Sequence, residues 1–189
     1  MPRQEEQCHQ WQEEQCHQCD ERTMMTDDKC KPISVSRRIQ APAGDVFKVL
    51  ADPTRHPDID GSGMLRQAVS DTVICAIGDS FTMRMRNAEM GDYEITNYVV
   101  EYELDRRIGW EPVLSAASRP EDAADIGDRA GHRWSYELTP AGPLATVVTE
   151  TFDCSVAPEW LRRVLDNGNR WVASMTTTLE RLEEQVISQ

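Results

Sequence analysis

Apolar and polar positions change their spacing along the chain in a way that divides it into strands, short helices and one long helix. The segment ISVSRRI sets Ile33, Val35 and Ile39 against Ser34, Ser36 and Arg38, the period of two expected of a half-buried strand. Ala41-Pro42-Ala43 ends it. Asp45, Val46, Phe47, Val49 and Leu50 then make a short amphipathic helix that Asp52-Pro53 stops, and Thr54 to Ile59 reads as one further helical turn. The run Asp58 to Gly63 is a loop. Strands follow at Met64–Val69, more weakly at Thr72–Ile77, and at Ser80–Arg86, Tyr93–Leu104, Arg107–Val113, His132–Thr139 and Ala145–Cys154. Such alternation suits an antiparallel sheet with one covered and one wet face. Pro140-Ala141-Gly142-Pro143 turns the last two strands into a hairpin. Ser115–Gly131, rich in Ala, Asp and Gly and without periodicity, reads as a long mobile loop. At the end Trp160, Val164, Trp171, Met175, Leu179, Leu182 and Val186 form a stripe at helical period, with a break expected at Gly168 between a short helix and a long one. A strand, two small helices, an antiparallel sheet and a long helix define the α+β class.

This order carries a functional expectation. A strongly curved sheet cannot fill its own concave side when one helix lies across it, so a hollow remains between them. The lining expected from strand parity and the helix stripe is Phe81, Met83, Met85, Tyr98, Trp110, Trp134, Tyr136, Phe152, Trp171 and Met175, a soft and aromatic surface suited to an irregular apolar ligand. The alternative is a solid core in which these side chains simply meet. Polar intruders decide between them, since ligand sites are apolar with a few placed polar groups. Glu150 shares the parity of Val148 and Phe152, and a carboxyl buried there has a raised pKa and can exchange protons near neutrality. Arg37, on the parity of Val35 and Ile39, is a second intruder and a candidate partner that would set the charge of Glu150. The bland alternatives are a structural ion pair or a bulge that turns Glu150 outward. His56, with Asp58 and Asp60 close behind it, is a candidate acid/base group at the entrance, against the more frequent outcome of a solvated loop histidine. His132 reads as structural.

Charge and cysteine usage narrow the partners. The net charge of −13 argues against a phosphate-backbone binder, so no nucleic-acid partner is expected. Residues 1–30 repeat QEEQCHQ and carry −5 of that charge, which reads as a disordered low-complexity tail preceding a domain at 31–189. Cys8, His9, Cys16, His17 and Cys19 are zinc-type ligands, but the spacing fits no familiar finger and almost no apolar residue surrounds them, so no metal is expected. Met24 and Met25 are alternative start sites for the ordered part. No apolar run is long enough to span a bilayer and the N-terminus has no apolar signal core, so a cytoplasmic protein without membrane insertion is expected. Neither Gly-x-Ser-x-Gly, nor a phosphate-cradling glycine loop, nor His-Glu-x-x-His occurs, and no cofactor is implied.

The first strand followed by APAGDVFKVLADPTRHPDIDGSG, the stretch GHRWSYELTPAGPLATVVTETFDCS at Gly131–Ser155 and the final TLERLEE resemble the START-like (SRPBCC, helix-grip) superfamily in its polyketide cyclase/dehydrase branch. The resemblance covers about Lys31–Val186. It implies a seven-stranded curved sheet wrapped round the C-terminal helix, with a deep hydrophobic cavity between them. Members bind lipids, polyketides or sterols, and some catalyse cyclisation or dehydration; no universal catalytic residue carries over. The function expected is therefore binding of a small hydrophobic molecule by a monomer or homodimer. The alternative is a cyclase or dehydratase in which Glu150 is the acid/base group and His56 or Asp60 assists at the entrance. A third reading makes the acidic tail a partner-binding segment.

Overall fold

The computed structural model describes residues 31–115 and 129–188. The tail with its Cys/His set, and most of the loop expected at Ser115–Gly131, lie outside the described residues.

Strands β1 (Ile33–Ile39), β2 (Leu65–Ala68), β3 (Ser80–Asn87), β4 (Gly91–Glu103), β5 (Arg107–Leu114), β6 (Arg133–Pro140) and β7 (Thr146–Asp153) form one antiparallel sheet in the order β1-β7-β6-β5-β4-β3-β2. Helices α1 (Ala43–Leu50) and α2 (His56–Ile59), separated by a 3-10 turn at Pro53–Arg55, lie between β1 and β2. After β7 come α3 (Glu159–Val164), a 3-10 segment (Asp166–Trp171) and the long α4 (Val172–Ile187), which packs against β1, α1 and α2. This is the α+β helix-grip arrangement, a seven-stranded sheet closed by its C-terminal helix.

Parity explains most of the burial. In β7 Thr146, Val148, Glu150 and Phe152 are buried while the residues between them are half-exposed. In α4 Met175, Thr178, Leu179, Leu182 and Val186 form the covered stripe. The expected break lies where it was read: Asp166, Asn167 and Gly168 all have positive φ, and a Cβ on Gly168 would meet the Phe152 ring at 2.7 Å. Trp160 and Val164 depart from the stripe. They belong to α3, none of whose residues is buried, and are 50% and 61% exposed.

Two further strand expectations are corrected. Thr72–Ile77 is loop, not strand. Only Ile74 is buried in it; its N–H donates to the Ala51 carbonyl, and the Cys75 and Ala76 N–H groups donate to the Asp79 carboxylate, so the backbone is satisfied without a ladder. In β4 the register against β5 slips between Val99 and Glu101. An extra residue reverses which side chains face the core. Asn97 and Val99 are buried before the slip, whereas beyond it Tyr102 packs on Phe47 with ring centroids 5.5 Å apart. Tyr98 therefore lies on the other face, under the Arg129 guanidinium at 5.4 Å, and does not reach the concave side.

Candidate functional site

A cavity of about 530 Å³ lies between the concave face of the sheet and the segment running from α3 into α4. Phe81, Met83 and Met85 of β3, Trp110 of β5, Trp134 and Tyr136 of β6, and Trp171 and Met175 at the head of α4 line it, as do Glu150, His56 and Asp60. Arg37, Tyr98 and Phe152 do not. Phe152 instead closes one end: its ring lies 4.6 Å from Trp134 and 6.3 Å from Trp171, and Met175 shares the same cluster. The aromatic side chains meet at that end and leave a hollow beside it.

Glu150 is the polar centre. It stands directly across the β6–β7 ladder from Tyr136, whose hydroxyl donates to Oε1 at 2.9 Å. Oε2 is buried and has no partner among the described residues. Burial pushes the carboxyl up to about 8, the tyrosine hydrogen bond opposing this and the Asp60 charge adding to it. At neutral pH Glu150 is therefore mostly a neutral acid, able to donate from one oxygen while accepting on the other. Tyr136 is in turn held far above the ordinary phenol range by burial and by Glu150, so it remains a donor.

Arg37 does not play the expected part. Glu150 faces Val35 across β1–β7, and Arg37 faces Val148 two pairs further along. Its Nε donates to Glu183 of α4 at 2.7 Å, with Glu180 at 3.7 Å from Nη1. On an edge strand its guanidinium reaches partly solvated carboxylates on the helix, which costs far less desolvation than entering the cavity.

His56 and Asp60 differ from expectation as well. His56 is buried rather than solvated at an entrance, stacked on Trp110 at 5.3 Å and set edge-on to Phe81 at 5.4 Å. Nε2 lies 2.9 Å from the Leu50 carbonyl, which can only accept, so Nε2 carries the proton and Nδ1 the lone pair. Desolvation lowers its pKa and keeps the ring neutral. Asp60 is committed to the loop: Oδ1 accepts from the Ser62 N–H and hydroxyl, and Oδ2 from the Leu65 N–H. Its neighbour Gly61 presses on α4, where a Cβ would lie 2.1 Å from the Ser174 carbonyl oxygen. These contacts fix the rim beneath α4 and engage both carboxylate oxygens of Asp60 in the loop.

Reading parity from Tyr98 hid Asn97, a buried amide in the wall. His132 also lines the cavity. Its signal was present, because it shares the parity of Trp134 and Tyr136. No group of three or more His, Cys, Asp or Glu able to hold a metal exists among the described residues. No helix there is long and apolar enough to cross a membrane.

No family model matches the chain. Two Mycobacterium tuberculosis proteins, named only as uncharacterized, are 31% identical over 125 residues, 66% of this chain and 48% of theirs. The chain thus spans about half the length of the curated relatives it matches. Among solved structures, a structural-genomics protein of Nitrosomonas europaea superposes with a TM-score of 0.59 at 18% identity, covering 85% of this chain and 97% of that one. Norcoclaurine synthase of Thalictrum flavum, solved with dopamine and hydroxybenzaldehyde, gives 0.53 at 12% identity over 84% and 87%. With the seven-stranded order and the closing helix, these likenesses establish the fold as helix-grip.

Proposed function

We propose that this chain binds a small hydrophobic molecule in the cavity between the sheet and the head of α4. The observation that carries the reading is the coexistence of an apolar, aromatic hollow of about 530 Å³ with a buried carboxyl at its wall. That is the composition of a site that holds a ligand by area and orients it by a few polar atoms. Native mass spectrometry of the purified protein tests this. An adduct of a few hundred daltons, released on denaturation and competed off by an apolar probe, is the expected result. A protein that carries no guest and takes up none of a panel of apolar probes contradicts it.

Glu150 supports a second reading, a cyclase or dehydratase of the polyketide cyclase/dehydrase branch. A carboxyl near pKa 8, hydrogen-bonded to Tyr136, is matched to proton transfer at neutral pH. A cavity that folds a substrate against one such group needs little else, since orientation supplies much of the rate. The norcoclaurine synthase complex shows only that the fold accommodates oxygen-bearing aromatics in that protein. Glu150→Gln keeps the shape and the acceptor for Tyr136 but removes the exchangeable proton. Turnover of an aromatic polyketide substrate should vanish while binding persists; equal turnover by the variant rejects Glu150 as the acid/base group.

A further inference from the structure

Four buried side-chain polar atoms lack a partner among the described residues: Ser115 Oγ, Glu150 Oε2, His132 Nδ1 and Trp171 Nε1. Buried polar atoms are nearly always paired, so each such atom asks for a partner. Three of the four belong to residues lining the one cavity. Their arrangement is ordered. His132 and Trp171 both stand against Phe152, with ring centroids 6.0 and 6.3 Å away. Glu150 lies two residues from Phe152 on the same face of β7, so its row is about 7 Å along the strand from the Phe152–Trp134 row against which Trp171 packs, and His132, two residues before Trp134, lies one row further out. Between and around them the wall is aromatic: Trp134, Tyr136 and Trp110. The indole N–H of Trp171 can only donate, and burial holds His132 neutral, with a pKa near 4.

Resting on the reading of the cavity as a ligand site, we propose that Trp171 Nε1 and His132 Nδ1 form a second polar anchor there. Together with Glu150 Oε2 it selects a ring-containing ligand with oxygen functions at two separated points, rather than a plain hydrocarbon or a single-headed acyl chain. A hydroxyl or carbonyl oxygen accepts from Trp171; a hydroxyl also donates to His132. A second oxygen function meets Glu150, one row from Trp171 and two from His132. Trp171 and His132 are thus specificity residues, which sort ligands without touching a reacting bond.

Calorimetric titration with naphthalene and with 2,6-dihydroxynaphthalene tests this in the full chain, using wild type, Trp171→Phe and His132→Phe. Each variant keeps an aromatic ring and removes the polar nitrogen. The expected result is a three- to tenfold loss of affinity for the dihydroxy probe in each variant, the equivalent of one neutral hydrogen bond, with naphthalene changed less than twofold. Equal losses for both probes make the two residues packing elements and overturn the proposal. So does an affinity ratio between the probes that is the same in wild type and variants. If only one variant folds, judged by its thermal melt, that variant decides. If neither does, the wild-type titration decides against a matched probe with one oxygen, 2-naphthol: no gain from the second oxygen overturns the anchor. Failure of both probes to bind wild type removes the underlying cavity reading, a result distinct from both binding without discrimination.

Discussion

Burial of Glu150 makes a specific demand on how stability depends on pH. Its carboxyl rises from an ordinary 4.5 to about 8 on folding, chiefly by desolvation. In the interval between those values the folded state holds a proton that the unfolded state has released, so stability falls as pH rises. At about 1.4 kcal/mol per pH unit, the loss reaches a ceiling of about 3 to 4 kcal/mol between pH 5 and pH 8 and levels off above the folded value. His132 works in the opposite direction. Its pKa falls from 6.5 to about 4, so the unfolded state takes up a proton that the folded state refuses, and stability drops as pH falls through that interval. His56, also lowered by burial, adds to this. The contributions oppose each other below pH 6.5, and above it that of Glu150 stands alone. Wild-type protein should therefore show a shallow stability profile from pH 5 to 6.5 and a decline from 6.5 to 8.5. Glu150→Gln isolates the cause. At pH 5 the variant resembles the protonated acid, still accepting from Tyr136, and should match wild type; at pH 8.5 it should be more stable by about 3 kcal/mol. Urea denaturation of both proteins at half-unit pH steps supplies the difference curve. A difference that stays flat across pH 5–8.5 would falsify the burial argument, because it means Glu150 titrates alike in both states.

Three other perturbations separate the elements of the site. Tyr136→Phe removes the one hydrogen bond that Oε1 accepts, and should cost about 1–3 kcal/mol in denaturant titrations while driving the Glu150 midpoint further up; an unchanged or lower midpoint contradicts the pairing. Gly61→Ala places a Cβ 2.1 Å from the Ser174 carbonyl oxygen, so the rim loop must leave α4, and the melting temperature should drop by more than that of a typical surface change. Arg37→Met breaks partly exposed ion pairs to Glu180 and Glu183, and should cost at most about 1 kcal/mol with no effect on the Glu150 titration; a displaced titration would restore the coupling that the geometry denies.

Much of this arrangement is legible from periodicity alone. Strands β3, β6 and β7 keep strict alternation, so Phe81, Met83, Trp134, Tyr136 and Glu150 fall on the covered face by counting. The helix break at Gly168 follows from Asn and Gly in a segment of poor helix formers. What periodicity missed has identifiable physical causes. The slip at Val99/Glu101 hides inside a run of apolar residues on both parities, which misplaced Tyr98 and concealed Asn97. Arg37 has the inward parity, but a long side chain on an edge strand chooses among partners in three dimensions, and two helix glutamates outcompete a buried one. His56 lies in the helical turn read at Thr54–Ile59, too short for a periodicity that would aim its ring, and that turn packs against Trp110 and Phe81 and takes the ring with it. Phe152 shares the parity of Glu150, but the close approach of Gly168 to its ring pulls it into the seam with Trp134 and Trp171 and away from the hollow.

The central claim is that the concave face and α4 enclose space that a guest enters. Carbon-13 methyl labelling of methionine provides the most direct measurement, since Met83, Met85 and Met175 line the cavity on two opposing elements. Titration with 2,6-dihydroxynaphthalene should shift all three methyl resonances together, saturating at one equivalent, because one guest touches both walls. Resonances of these three methyls that stay fixed, while only a surface methionine responds, would show that the apolar walls admit nothing between them.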